Sequence, residues 1–149
     1  MLPRGPVPSY DAFRARCSFP EAFSGIAQAT VEQVLRAKTD YLATAFGDRA
    51  VLPITDWSDD CVDAIVHLTF RALMGRRGYD GDSGADKEII ALATQAEAFR
   101  KGIQDKTEQP DFIDSHGGPV PDAPRVFSAH AADSWTRREE GRWPVRLRP

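Results

Sequence analysis

The fold is decided by residues 58–74, which read SDDCVDAIVHLTFRALM. Ser58 followed by Asp59 and Asp60 is a helix-start pattern, because a serine oxygen can accept free backbone N–H groups and acidic side chains complement the helix dipole. The apolar side chains that follow nearly encircle a helix: Cys61, Val62, Ile65, Val66, Leu68, Thr69, Phe70, Leu73 and Met74. A helix that is apolar on most faces lies at the centre of a bundle. Gly75 and Gly78 are expected to end it.

Two further helices flank this central one. Upstream, Thr30 is the expected N-cap of a helix that ends at Gly47, with an apolar stripe of Val31, Val34, Leu35, Leu42, Ala45 and Phe46. A linker over residues 50–57, which contains Pro53, leads to the central helix. Downstream, Ser83 with Asp86 three residues later is a variant of the capping box. The helix that it starts ends near Gly102, with a stripe of Ala85, Ile89, Leu92, Ala93, Ala96, Phe99 and Ile103.

Prolines mark both ends of the chain. Residues 1–19 carry Pro3, Pro6 and Pro8, which favour extended backbone, with one short turn near residues 10–13. Pro20 and Glu21 begin a short helix, which is interrupted at residues 24–25. After residue 105 the helical period is lost and prolines recur; residues 126–128 and 145–147 are candidates for short β-strands.

These patterns predict an all-α fold. It is a small helical bundle of three main helices and one short helix, with extended N- and C-terminal arms. We expect an N-terminal arm over residues 1–17, a helical core over residues 18–104 and an extended C-terminal tail over residues 105–149.

Composition narrows the class of protein. A length of 149 residues suggests one domain. A net charge of −3 argues against a protein that coats DNA, which needs clustered Lys and Arg. Cys17 and Cys61 lack the spacing of a zinc site or a disulfide framework. No apolar run reaches the roughly 20 residues of a membrane helix, and no signal peptide is evident, so we expect a protein that is made in the cytoplasm and does not enter a membrane.

No set of residues indicates catalysis. Residues 80–86 are rich in aspartate but lack the ligand pattern of a calcium loop, so we interpret them as a turn and a helix cap. His67 is expected in or near the core, and His116 and His130 lack metal-ligand spacing. Ser115, His116 and Asp114 are adjacent and cannot form a catalytic triad. We predict no catalytic, cofactor-binding or metal-binding residue, and no enzyme activity.

The C-terminal tail is the predicted contact surface for partners, and a tail that folds back on its own core is the alternative. Trp and Arg dominate binding hot spots between proteins, and the tail combines them with two apolar residues. The candidate partner-binding residues are Val126, Phe127, Trp135, Arg137, Arg138, Trp143 and Arg146.

The order of these elements resembles the head–tail connector or adaptor family of long-tailed phages and gene-transfer agents, including Mu-like prophage members. The resemblance lies in Phe19-Pro20-Glu21, the helix over residues 31–46, Leu52-Pro53 and Trp57, the central helix followed by Arg77-Gly78-Tyr79-Asp80, and residues 86–102. It covers about residues 10–104 and loosely residues 126–138.

The resemblance implies a structural virion protein without catalytic residues. Family members form a dodecameric ring beneath the portal protein, and the lower face of the ring receives a stopper or tail-completion protein. DNA passes through the channel of the ring without sequence-specific binding. The expected location is the virion, and the host cytoplasm before assembly.

A small helical DNA-binding or regulatory protein is the alternative. Helices of this length could contain a helix-turn-helix, but the central helix is too apolar to expose polar side chains to base edges.

Overall fold

The computed structural model describes residues 3–115. Its elements are α1 (Tyr10–Ala15), a 3-10 helix (Pro20–Phe23), α2 (Gln28–Ala43), a second 3-10 helix (Thr44–Arg49), β1 (Ile54–Trp57), α3 (Asp59–Arg77), α4 (Gly84–Gln104) and β2 (Phe112–Asp114). The prediction of a small all-α bundle is confirmed, and a two-stranded ribbon is the only sheet in this part of the chain. The candidate strands at residues 126–128 and 145–147 lie outside the described residues.

Helix α3 is the centre of the bundle, as predicted. It contributes nine buried residues and packs against both α2 and α4. Ser58 is its N-cap and Asp59 and Asp60 occupy its first turn, but the Ser58 side chain makes no capping hydrogen bond to the helix backbone. The expected end at Gly75 is wrong, because the helix continues to Arg77. It ends where Gly78 adopts a φ of 99°, a conformation that costs glycine little because it has no Cβ.

Helix α2 differs from its prediction at both ends. It begins at Gln28 after an N-cap at Ala27 that makes no side-chain hydrogen bond, so the expected cap at Thr30 is wrong. It ends at Ala43, and the chain continues as the 3-10 helix over Thr44–Arg49. Gly47 lies within that segment at a φ of 53°, so it marks a kink after the helix rather than its last residue.

Helix α4 begins as predicted, but Asp86 has a different role. The Oγ of Ser83 accepts the backbone N–H of Asp86 at 3.4 Å. The Asp86 side chain is fully buried; it accepts the backbone N–H of Asp80 at 2.8 Å and pairs with the Arg77 guanidinium. These hydrogen bonds, first the backbone one and then that from Arg77, lower the pKa of Asp86. Asp86 therefore fixes the α3–α4 loop.

The segment predicted as a linker contains a strand. Ile54–Trp57 pairs antiparallel with Phe112–Asp114, in a register that places Trp57 opposite Phe112 and Ile54 opposite Asp114. Residues 112–114 belong to the predicted C-terminal tail. The tail therefore contributes a strand to the folded body before residue 115.

The N-terminal segment also packs on the helices. The Arg4 carbonyl accepts the Ile54 N–H at 2.9 Å. The short turn expected near residues 10–13 is helix α1, in which Phe13 is 2% exposed and meets the Phe70 ring at 5.1 Å. Arg16 binds Asp63 at 2.5 Å and Asp59 at 3.1 Å, which joins α1 to α3. The division at residues 17 and 104 stays a prediction.

Among residues 3–115, the helices lack the combination of length and apolar character that a membrane span requires.

Candidate docking surface

Four large apolar side chains are exposed in the described part of the chain. Val51 is 37% exposed, Leu52 41%, Ile113 49% and Tyr79 58%. Three of the four belong to β2 or to the segment that leads into β1, and we call Val51, Leu52 and Ile113 the ribbon face. Tyr79 lies apart from them in the α3–α4 loop. Exposed apolar side chains carried by one supersecondary unit can mark a contact surface, so we treat the ribbon face as a candidate.

Hydrogen bonds between β1, β2 and the flanking chain hold the ribbon face in place. The Oδ2 atom of Asp114, which is 3% exposed, accepts the Val51 N–H at 2.9 Å. The Thr55 hydroxyl donates to the Ile113 carbonyl at 2.9 Å. At the other end of β2, the Ser58 N–H donates to the Asp111 carbonyl, also at 2.9 Å. The outward side chains are thus presented on a fixed backbone rather than on a free loop.

The inner side of β2 anchors it to the bundle. Phe112 is 8% exposed and meets the Phe46 ring edge-to-face, with 4.9 Å between ring centroids. Side chains alternate along a strand, so Phe112 and Asp114 point inward while Ile113 points outward, as their burial shows. Asp111, the residue before β2, is exposed as well. The outer face of β2 therefore combines one carboxylate with one branched apolar side chain.

A recess adjoins the outer face of β2. It has a volume of about 270 Å³ and is lined by Asp56, Trp57, Ser58, Asp111, Phe112 and Ile113. Its floor is apolar and its two carboxylates are exposed. Such a surface can receive an apolar or basic group of another protein.

His67 was expected in or near the core. It is half-buried and lines a second groove, between α3 and α4. The groove is lined by Asp60, Asp63, Ala64, His67, Gln95, Ala96, Phe99 and Glu108. Burial lowers the pKa of His67, and the nearby Asp63 partly opposes that shift. Asp63 itself is bound by Arg16. In the part of the chain that the structure describes, no three His, Cys, Asp or Glu side chains are grouped so as to hold a metal ion.

The two cysteines are free thiols. Cys61 is fully buried in α3, and burial raises its pKa to about 11. Cys17 is half-buried, and burial likewise raises its pKa. A raised pKa keeps a thiol protonated at neutral pH, which makes it a poor nucleophile.

The contact residues predicted from the sequence all lie beyond residue 115. Val126, Phe127, Trp135, Arg137, Arg138, Trp143 and Arg146 are outside the described residues. The ribbon face was not predicted, because residues 50–57 were interpreted as a linker. The signal that could have found it is the short alternation Asp111-Phe112-Ile113-Asp114, in which every second residue is apolar.

Comparison with known proteins gives no relative: no family model, no curated protein and no solved structure matches the chain.

Proposed function

We propose that this chain is a structural subunit of the phage head–tail connector, an adaptor between the portal protein and the stopper or tail-completion protein. Copies of the chain form a ring, with twelve subunits as in the family that the sequence resembles. The ring continues the DNA channel, is part of the virion and assembles from subunits made in the host cytoplasm. The subunit is not an enzyme and carries no cofactor.

The observation that carries the proposal is the ribbon face. Val51, Leu52 and Ile113 are exposed on a backbone that hydrogen bonds hold in place. Immediately after β2 the chain continues into residues 116–149, which contain the Trp and Arg residues that we expect to bind partners. A subunit that must contact a portal, a tail protein and its own copies needs several adhesive surfaces, and repeated weak contacts around a ring add up through multivalency.

The polar residues of the body support a structural role. The buried Asp86 and Asp114 are both used to fix backbone, at Asp80 and Val51 respectively. The ion pairs of Arg16 join helices. Charged groups that bind backbone or join helices make the body rigid, and a ring subunit requires a rigid body.

The DNA-binding alternative finds less support. A recognition helix must present polar side chains to base edges over much of its length. Helix α3 instead contributes nine buried residues and is covered by α2 and α4, so a second helix would have to read the DNA. A gel-shift assay at low salt tests this alternative. Tight binding that weakens steeply with added salt would favour it.

The experiment that tests the proposal is the composition of purified particles. The gene is expected beside portal, protease and capsid genes, and deleting it should leave filled heads without tails. Mass spectrometry of wild-type particles should find the chain in a fixed ratio to the portal protein. Normal tailed particles from the deletion strain would contradict the proposal.

A further inference from the structure

A pocket between α1 and α2 carries a positive charge, whereas the outer face of β2 carries a negative one. Its volume is about 260 Å³, and its floor is formed by Phe13, Phe23 and Val31. These floor residues are only 2%, 6% and 1% exposed. Tyr10 and Cys17 are also among its lining residues.

Among the described residues that line this pocket, Arg14 is the one that carries a charge. Its guanidinium makes no ion pair within residues 3–115, whereas Arg16, two residues later, is bound by two aspartates. The pocket is thus of mixed character: its floor is apolar but almost fully buried, and its accessible lining includes the Arg14 guanidinium beside Tyr10 and Cys17. Such a pocket suits a pair of neighbouring side chains, one apolar and one a carboxylate.

The outer face of β2 supplies such a pair. Ile113 is 49% exposed, and Asp111, the residue before β2, is exposed two positions earlier in the chain. Residues i and i+2 of a strand are about 6.8 Å apart, so one partner surface can contact both. Asp111 makes no ion pair within the described residues either, and its backbone is fixed by Ser58.

We propose that β2 of one copy docks on the α1–α2 pocket of a second copy. Ile113 enters the pocket beside Tyr10 and Cys17, and the Asp111 carboxylate binds the Arg14 guanidinium. The occupant of the pocket is therefore a second copy of this chain, because its Asp111 complements the charge of Arg14 and its Ile113 supplies an apolar side chain.

The two surfaces share no residue, so each copy can donate β2 and receive a neighbour's β2 at the same time. Such a head-to-tail contact is heterologous: it produces a ring if the rotation between neighbours closes, and an open chain if it does not. That the contact closes into a ring rests on the proposed function. The contact itself is argued from the two surfaces alone.

Cysteine cross-linking of the full-length chain tests the contact. Cys17 lines the pocket, so the substitution Ile113→Cys places a second thiol where it can reach Cys17 of a neighbouring copy. The protein is oxidised at about 2 mM, a concentration that half-populates a contact with a Kd of about 1 mM. The pH is about 9, because burial raises the pKa of Cys17 and the thiolate is the reactive form. A matched control is Tyr79→Cys, which puts a thiol at a 58% exposed position outside both surfaces.

The expected result is a ladder of disulfide-linked dimers, trimers and longer species for Ile113→Cys. Adding Cys17→Ser should reduce the ladder to dimers at most, because the thiol introduced at position 113 is then the only accessible one. Arg14→Glu should also remove the ladder in the Ile113→Cys chain, and Asp111→Arg together with Arg14→Glu should restore it. An absent ladder, one that survives Cys17→Ser, or an equal ladder from Tyr79→Cys would overturn the contact.

The cross-linking test and the particle test can fail independently of each other. A ladder from a chain that is absent from tailed particles would refute the adaptor and leave the contact standing. A chain that is present in the particles but forms no ladder would refute the contact alone.

Discussion

At the scale of single residues, Asp86 is the charge on which the α3–α4 connection depends. Its fully buried carboxylate binds the Asp80 N–H and the Arg77 guanidinium. Asp86→Asn leaves a neutral amide facing a cation, and a buried pair that loses one partner destabilises a fold strongly. We expect a fall in Tm of several degrees by circular dichroism. Asp82→Asn, at an exposed position in the same loop, should leave Tm unchanged; equal falls would contradict this role.

The same residue gives the fold a dependence on pH. Because the pKa of Asp86 is lowered on folding, its ionised form stabilises the protein above the unfolded pKa of about 3.9, and this contribution is lost as the pH falls through the folded pKa. The difference in Tm between wild type and Asp86→Asn should therefore be constant near neutral pH and shrink below about pH 4. A difference that grows on acidification would show that the carboxylate is not stabilised by folding.

Thr39 is a buried hydroxyl without a hydrogen-bond partner among the described residues. Thr39→Val replaces this hydroxyl with a methyl group of similar size and should raise the free energy of unfolding by about 1 kcal/mol. Thr69→Val is the matched control, because Thr69 is equally buried but donates to the Ile65 carbonyl at 2.8 Å. Urea denaturation compares the two. An equal gain in both variants would assign the effect to methyl packing rather than to the unpaired hydroxyl.

At the scale of elements, the N-terminal segment is held by close packing on β1. A Cβ atom added at Gly5 would lie 2.5 Å from the Trp57 ring, so the segment or the ring must move. Gly5→Ala should therefore lower the free energy of unfolding by about 1–3 kcal/mol in urea. Gly25→Ala, where no atom lies within 4 Å of the added Cβ, should change it by less than about 0.5 kcal/mol. Equal effects would show that the segment does not pack on Trp57.

The elements that the sequence predicts best are those with local signals. The starts of α3 and α4 were predicted because Ser58 and Ser83 precede them with acidic residues in the first turn. The start of α2 was misplaced because Ala27, its N-cap, has no polar side chain that would mark a helix start in the sequence. Strand β1 was missed because its pairing partner, β2, lies after α3 and α4 in the chain. The ribbon face was missed for the same reason, since exposure of Ile113 depends on that pairing.

At the scale of the whole molecule, charge is unevenly distributed along the chain. Residues 1–115 contain 13 basic and 18 acidic side chains, a net charge of −5, whereas residues 116–149 contain 6 basic and 4 acidic ones, a net charge of +2. An acidic body releases few counterions on meeting a phosphate backbone. This distribution suits the proposed ring, through which DNA would pass without being held.

The C-terminal tail can be separated from the body by truncation. A chain that ends at Gly118 keeps β2 and all the described helices, so we expect its far-UV circular dichroism to remain helical. We also expect it to be absent from particles in which the full chain is incorporated, because Trp135, Arg137, Trp143 and Arg146 are removed. Loss of helical signal on truncation would show that residues 119–149 are needed for the fold.

The most direct test of the adaptor assignment is electron microscopy of portal rings from the same phage after mixing with the full-length chain. The account predicts an added layer of density on one face of the portal, with copies of the chain arranged around the channel. Portal rings that stay bare although the folded chain is present in excess would contradict it.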